Sequence, residues 1–556
     1  MTKRLARHLP FLAWSALAFT VLFWRLGAAS FWDPDEAHYA QTTRELITTG
    51  NWLTPYYNDQ PFFDKPILFH WLQAVPMGIL GSTETAARLV PALAALAIVG
   101  FTWWLGAALV SSEVGFAAAL LLTVNPALVA LARYGILDTV FTVFLFGGLA
   151  MLTVAMLRDR PRLQWTGYAF VGLATFTKGP IALALCASAV VLLALLSGDM
   201  RRRLVSLQWP LGLLVILLLS VPWFAYMWYQ YRWTFLNAYF LDENLRLFSG
   251  SRFANAPPWW FYLQVVATGL LPWTAMLAGR LYDDLRAMAK GRRLDTVEIA
   301  LWLWPAAVIG LFSTSSFKLD HYVFPAAPAL CLLCARAWHD MQHGDRAETA
   351  GVRWGARLVG LVLIVAGIVL SFLMVERLDL PAAALTVPLA LLACGVADAL
   401  GWFWARRPSA VPWIAVTAMT AIYVGAIVWV VPAFEEQKVV RDLARWVEGE
   451  AAPEDQIAAY RMNRWSAAFR FYVNRHVVFL ETPDVTGFIE APGRAYCIMP
   501  QPEIAPLEAR GAHLRIVRAR SGMSVTSGMA LWREKSAATR FVVVTHAEPR
   551  HKRGRG

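Results

Sequence analysis

The chain has 556 residues, 58% of them hydrophobic and only 16% charged. A water-soluble protein of this length exposes too much surface to carry so few charges, so a wholly soluble fold is excluded. The net charge of +12 does not point to nucleic acid, because the basic residues fall in short clusters between apolar runs ("TKRLAR", "RDRPR", "RRR", "KGRR", "ARRP"), the pattern of cytoplasmic loops in a membrane protein.

Taken in chain order, runs long enough to cross a bilayer as helices fall near residues 9–27, 88–110, 114–131, 139–157, 164–177, 180–197, 208–229, 259–279, 297–314, 322–339, 355–376, 381–404 and 411–432. These are about thirteen spans, and the 26 tryptophans suit the many helix ends at membrane–water interfaces. The basic and then apolar N-terminus reads as an uncleaved first span rather than a signal peptide. With the N-terminus in the cytoplasm, every basic cluster falls on the cytoplasmic side in turn. The acidic, aromatic and histidine residues then gather in the outer loops 28–87, 132–138, 230–258 and 315–321 and the turn around residue 178. Cysteines 186, 331, 334, 394 and 497 are scattered, and the CxxC at 331–334 lies inside an apolar run, so they read as small core residues.

Hydropathy drops after Ala433. "EEQKVVRDLARWVEG" has the periodicity of an amphipathic helix, while "DQIAAY", "HVVFLE", "AYCIMP", "LRIVRA" and "RFVVVT" read as short strands. The expected organisation is a mostly α protein: a polytopic transmembrane domain over 1–432, a soluble α/β domain over 433–548 on the outer face, and a disordered basic tail at 549–556.

The outer loops carry the chemistry. In "FWDPDEAHYAQTTREL" Asp33 can cap a helix, Pro34 suits its first position, Glu36 completes a capping box and Gly50 can close the helix. That explanation covers the acidic start without catalysis. Asp64 and Lys65, however, sit among aromatic residues in "PFFDKP", and lone cations recur at other outer helix ends: Arg133 in "ARYGILD", Lys178 in "TFTKGP" and Lys318 in "SSFKLDHY". Charges near the membrane are costly and usually face a cavity or an anionic partner. Converging from several spans, they could hold a phosphate or pyrophosphate. Asp138 could instead pair structurally with Arg133. His38, His70 and His321 show no local metal spacing and read singly as hydrogen-bonding residues.

Together these motifs resemble the integral-membrane glycosyltransferases of the C-type fold, nearest the lipid A aminoarabinose transferases and the protein O-mannosyltransferases. The likeness lies in the order of an acidic pair after the first span, an acid–Lys–Pro, an "AR…D", a "TKG" turn, an "EN" loop and "KLDHY" with Pro325 and Pro328, over most of residues 10–435. The resemblance implies Asp35 as the catalytic aspartate with Glu36 beside it and Asp138 as a second acid of the active site. Lys65 is implied as the contact to the carrier phosphate, Tyr322 as a tyrosine of the carrier site, and Lys178 and Lys318 as phosphate-side or structural partners; Tyr39, Arg133 and Arg246 are further candidates for binding the carrier. Candidate metal ligands fall at Asp64, Glu243 and Asn244. There the aminoarabinose enzymes carry Glu at the first position and His near the last, so this chain offers a shorter acid and an amide. Arg246 lies one position from where the relatives carry their arginine.

The expected function is transfer of one sugar, a hexose or pentose, from a polyprenyl-phosphate carrier of the undecaprenyl type. The resemblance implies inversion at the anomeric carbon. Lipid A, another glycan, a lipid or a protein stays open as acceptor. The expected setting is the periplasmic face of a bacterial inner membrane. A divalent metal is left open, and no nucleotide cofactor is expected, since no Walker loop or dinucleotide glycine fingerprint is present. A transporter or flippase of lipid-linked or anionic solutes is the alternative; its signature of similar half-sequences or matched Gly/Pro-broken spans is missing. A scaffold working through the C-terminal domain would leave the clustered outer charges unexplained.

Overall fold

The computed structural model describes residues 2–250, 257–344, 348–377, 380–400, 411–462, 467–481, 485–490, 494–523 and 539–546. The tail expected at 549–556 lies outside the described residues. The first part of the chain is helical: α1 (Thr2–Leu22), α2 (Asp35–Thr49), α3 (Leu68–Leu80), α4 (Glu84–Leu109), α5 (Ser112–Thr123), α6 (Pro126–Ala132), α7 (Asp138–Leu157), α8 (Leu163–Lys178) and α9 (Ile181–Leu196), with further helices following to residue 436.

Among the described residues 7 helices are long and apolar enough to cross a membrane, or up to 9 if two bent pairs each count as one span. The chain is thus a multi-pass membrane protein in which, among the described residues, fewer helices reach full spanning length than the thirteen apolar runs suggest. The difference has local causes. The run at 114–131 is α5 and α6, bent by 62°, where the Asn125 side chain accepts the Leu128 N–H and Pro126 opens the new helix. The run at 259–279 breaks by 114° between Phe261–Gly269 and Thr274–Ala289. The helices α8 and α9 have 16 residues each, about 24 Å at the usual rise and short of a hydrocarbon core.

Small residues set the helix spacing, as expected where lipid removes the hydrophobic drive between helices. A Cβ at Gly279 would lie 2.2 Å from the Gly351 carbonyl oxygen, on the neighbouring helix Ala350–Phe372.

A second body follows. Strands β3 (Gln456–Tyr460), β4 (Val478–Leu480), β5 (Ala495–Pro500), β6 (Leu514–Gly522) and β7 (Thr539–His546) form one sheet, and the short hairpin β1 (Tyr56–Tyr57) and β2 (Gln60–Pro61) stands apart near α2. The sheet order is β4-β3-β5-β7-β6, parallel across β4, β3 and β5 and antiparallel at β7 and β6. Both faces are covered. Along β7, Val543 joins one core with the helices Val440–Glu450 and Ala467–Val473, while Val542 and Val544 join the other, which is why "RFVVVT" reads as a continuous apolar run. The first of these cores also takes in Phe31, Ala37 and Ala40, so the sheet domain packs directly on the start of α2.

Gly279→Leu should lower the thermal unfolding midpoint of the detergent-solubilised protein, since overpacking a tight contact costs about 1–3 kcal/mol. Gly291→Ala, at a position open to solvent but with φ +77°, should cost less.

Candidate active site

The helix α2 starts at Asp35, and Gly50, with φ 67°, closes it. Asp35 and Glu36 lie in its first turn, but consecutive residues point about 100° apart on a helix, and the two have different surroundings. Glu36 is fully buried. Its carboxylate accepts from Arg88 Nε (2.5 Å) and Nη2 (2.8 Å) of α4, from Gly135 N–H (2.8 Å) and from Trp32 N–H (3.0 Å). Every lone-pair direction is used, so Glu36 is a structural anchor, which corrects its placement beside Asp35 in the chemistry. Asp33 does not cap α2; its Oδ1 accepts the Ala468 N–H of the sheet domain (2.9 Å).

Asp35, by contrast, is exposed. Desolvation by the surrounding protein holds its pKa above the usual aspartate value; His321 and Lys65 pull it down, and Asp64 and Asp138 push it up. These four neighbours come from three separate parts of the chain. Lys65 Nζ donates to Asp64 Oδ1 (2.6 Å) and lies 3.8 Å from Glu243 Oε2. Asp138, at the start of α7, accepts from Lys178 Nζ at the end of α8 (2.5 Å), not from Arg133, and its other oxygen lies 3.8 Å from His321 Nε2. The Lys178 ammonium sits 4.7 Å from the centre of the Tyr322 ring. Tyr39 is buried on α2 against Phe69 and His70, within electrostatic reach of Asp64, Asp138 and Asp35.

Two cavities flank this group. The smaller, about 90 Å³, is lined by Lys65, Lys178, Asp64, Glu243, Asn244 and Tyr322 among others. The larger, about 740 Å³, is walled by apolar side chains from α6, from residues 265–270 and from residues 323–330, with Arg25, Arg133 and His321 on its polar side. They share no lining residue.

Three expected phosphate-side cations stand apart from the small cavity. Arg133 donates to the carbonyls of Val21, Trp24 and Arg25 (3.1–3.2 Å), so it caps the end of α1. Lys318 is buried and donates to the Ser315 carbonyl (2.5 Å) and the Pro257 carbonyl (3.4 Å). Arg246 is exposed and pairs with Asp242, one helical turn away (2.5 Å). None of the three lines the small cavity.

The proposed metal set fails its fit. Lys65 Nζ pairs with Asp64 (2.6 Å) and lies 3.8 Å from Glu243, the Asp64 and Glu243 side chains hydrogen-bond to each other, and the Asn244 amide donates to the Tyr239 carbonyl (2.7 Å). Among the described residues no three His, Cys, Asp or Glu side chains come together as a metal site requires. His321 and Arg88 were not singled out for these roles from the sequence. The spacing of "KLDHY" could have pointed to the first, but nothing local pairs Arg88 with Glu36.

A family model for dolichyl-phosphate-mannose-protein mannosyltransferases matches residues 64–226. An undecaprenyl phosphate-alpha-4-amino-4-deoxy-L-arabinose arabinosyl transferase of Pseudomonas fluorescens is 32% identical over 350 residues, 60% of this chain and 59% of that one. A counterpart from Sodalis glossinidius is 28% identical over 60% of this chain and 61% of its own length. The chain therefore spans about three fifths of the curated relatives it matches. In fold, ArnT from Cupriavidus metallidurans bound to undecaprenyl phosphate superposes with a TM-score of 0.73 at 21% identity, covering 96% of this chain and 97% of that one.

Two variants separate the acids. Arg88→Met should cost about 3–5 kcal/mol by leaving Glu36 buried and unpaired, seen as lost folded yield and a lower unfolding midpoint. For Asp35 the sign is opposite. A carboxyl raised on folding holds its proton more tightly in the folded state, so ionisation costs stability as pH rises through its folded pKa. Asp35→Asn should therefore match or exceed the parent in thermal stability at neutral pH, and the difference should shrink at acid pH. The family model and the curated relatives each match part of the chain, and over nearly its whole length the chain shares the fold of ArnT from Cupriavidus metallidurans.

Proposed function

We propose that the chain is a glycosyltransferase that moves a pentose of the aminoarabinose kind from an undecaprenyl-phosphate carrier to lipid A. The observation that carries this is the pairing of two ammonium groups, Lys65 and Lys178, on one small cavity, with Lys65 also in electrostatic reach of Asp35. The activity named for the relatives supplies the class of donor. In this reading the protein sits in the bacterial inner membrane with its N-terminus cytoplasmic and the sheet domain in the periplasm, as the basic clusters between spans require.

The acceptor oxygen attacks the anomeric carbon, the bond from that carbon to the carrier phosphate breaks, and the phosphate leaves with the electron pair. Lys65 and Lys178 stabilise the negative charge growing on it, with Tyr322 and Tyr39 completing the carrier site. Fixed charges of this kind need no reorganisation at the moment of reaction. Asp35 faces the sugar from the other side. For an alcohol acceptor it takes the proton; for a phosphate acceptor such as lipid A presents, no proton need be removed, and the carboxylate orients the acceptor and stabilises the oxocarbenium-like centre. Asp138 holds Lys178 in place and is held in turn between Lys178 and His321. The large apolar cavity suits acyl chains, and Arg25 on its polar side suits an anionic head group.

The test uses purified protein in detergent with undecaprenyl-phosphate-linked aminoarabinose and lipid A, the product read by mass spectrometry. Asp35→Asn should lower turnover by about 10²–10⁴-fold, and Lys65→Ala by about 10²–10³-fold. Full transfer in either variant would remove that residue's role, and no added mass on lipid A with the parent protein would remove the acceptor assignment. Because Asp35 acts ionised and its carboxyl is raised, the acid limb of the parent's pH–rate profile should lie above the ordinary aspartate value and disappear in Asp35→Asn.

A further inference from the structure

Residues 30–33, which lead through Pro34 into Asp35, form no regular structure of their own, and each is held from outside the segment. Ser30 N–H donates to Glu435 Oε2 (3.0 Å), and the Ser30 carbonyl accepts from Lys438 Nζ (2.9 Å). Phe31 N–H donates to the Tyr472 hydroxyl (2.9 Å), which donates onward to Glu84 Oε1 (2.9 Å), and the Phe31 carbonyl accepts from Lys438 Nζ (3.3 Å). The Trp32 ring stacks on Phe434, with centroids 5.4 Å apart, and Lys438 Nζ lies 4.6 Å from its centre. Asp33 accepts the Ala468 N–H. Beyond Asp35 the hold continues: Arg44 donates to the Phe471 carbonyl (2.6 Å), and Glu45 lies 3.5 Å from Arg470.

Lys438 is the informative member. Its side chain is 5% exposed, and its carboxylate partner among the described residues, Glu435, is 3.5 Å away. The shorter contacts of this buried ammonium go to backbone oxygens of the segment leading into Asp35. Burying a lysine there is costly unless those carbonyls are in place, so the lysine and the segment order one another. Lys438 and Val439 are in turn tied to Met523 at the end of β6.

We infer that the C-terminal domain, through Lys438 and Tyr472, is the positioning element that sets Asp35 against the sugar, and that it governs turnover rather than donor binding. Neither residue touches the cavities; both act through the backbone of residues 30–33. The inference rests on the role given to Asp35 above.

The experiment uses the full-length detergent-solubilised protein with the same donor and lipid A. Tyr472→Phe keeps the ring and removes both hydrogen bonds; Lys438→Met keeps length and removes the charge. Both should lower kcat by about 10- to 100-fold with the donor KM unchanged, and Lys438→Arg should recover part of the loss. Arg461→Ala, which removes an exposed pair with Glu503, should behave as the parent. A parental kcat in Tyr472→Phe and Lys438→Met, with Asp35→Asn inactive, overturns the inference alone, as does a loss confined to donor KM. Should Lys438→Met fail to fold, Tyr472→Phe decides. Full activity in Asp35→Asn overturns the underlying reading instead.

Discussion

The interaction on which the rest depends is the buried pair of Glu36 and Arg88. It joins the start of α2 to α4, and Arg88 also gathers the carbonyls of Leu26, Ala29 and Ser30, so the connection from α1 into α2 is wrapped around one guanidinium. Gly135 completes the arrangement from the turn before α7. A Cβ there would lie 3.1 Å from Glu36 Cγ, whereas the bare backbone approaches closely enough to donate its N–H. Three parts of the chain that supply Asp35, Asp138 and the wall of the large cavity are thereby fixed to one another. Such a pair gains little by itself against the cost of desolvating it. Its value lies in specifying a single arrangement of elements that hydrophobic packing alone would leave free to slide.

Charge economy explains the division of labour among the lysines and arginines. A cation at this depth persists only with partners, and two kinds of partner are used. Arg133 and Lys318 are satisfied by backbone carbonyls and so are fixed parts of the frame. Lys65 and Lys178 are satisfied by carboxylates on the wall of a cavity. A carboxylate partner can share its cation with an incoming anion, while a helix end whose carbonyls lose their cap cannot easily do without it. The difference between a structural and a working cation is therefore in what it pairs with.

That distinction marks the limit of what was legible in the sequence. Asp64 and Lys65 among aromatic residues, Lys178 in "TKG", Asp138 and the "KLDHY" turn all stand out as charges at helix ends, and the structure brings them together. Arg133 looks the same in the sequence, but its destination depends on which helix end lies beside it, here that of α1, more than a hundred residues earlier. Asp35 and Glu36 are adjacent and alike, and only the presence of Arg88 on α4 separates their roles. The bend at Asn125 and Pro126 was written plainly in capping chemistry, yet a hydropathy window averages over it. The contacts of residues 30–33 with Lys438 and Tyr472 span some four hundred positions and leave no local signature.

The two cavities share no wall, and that has a kinetic consequence. Under the proposed function, a carrier seated against Lys65 and an acceptor seated in the larger cavity would occupy different spaces, so neither need leave before the other enters.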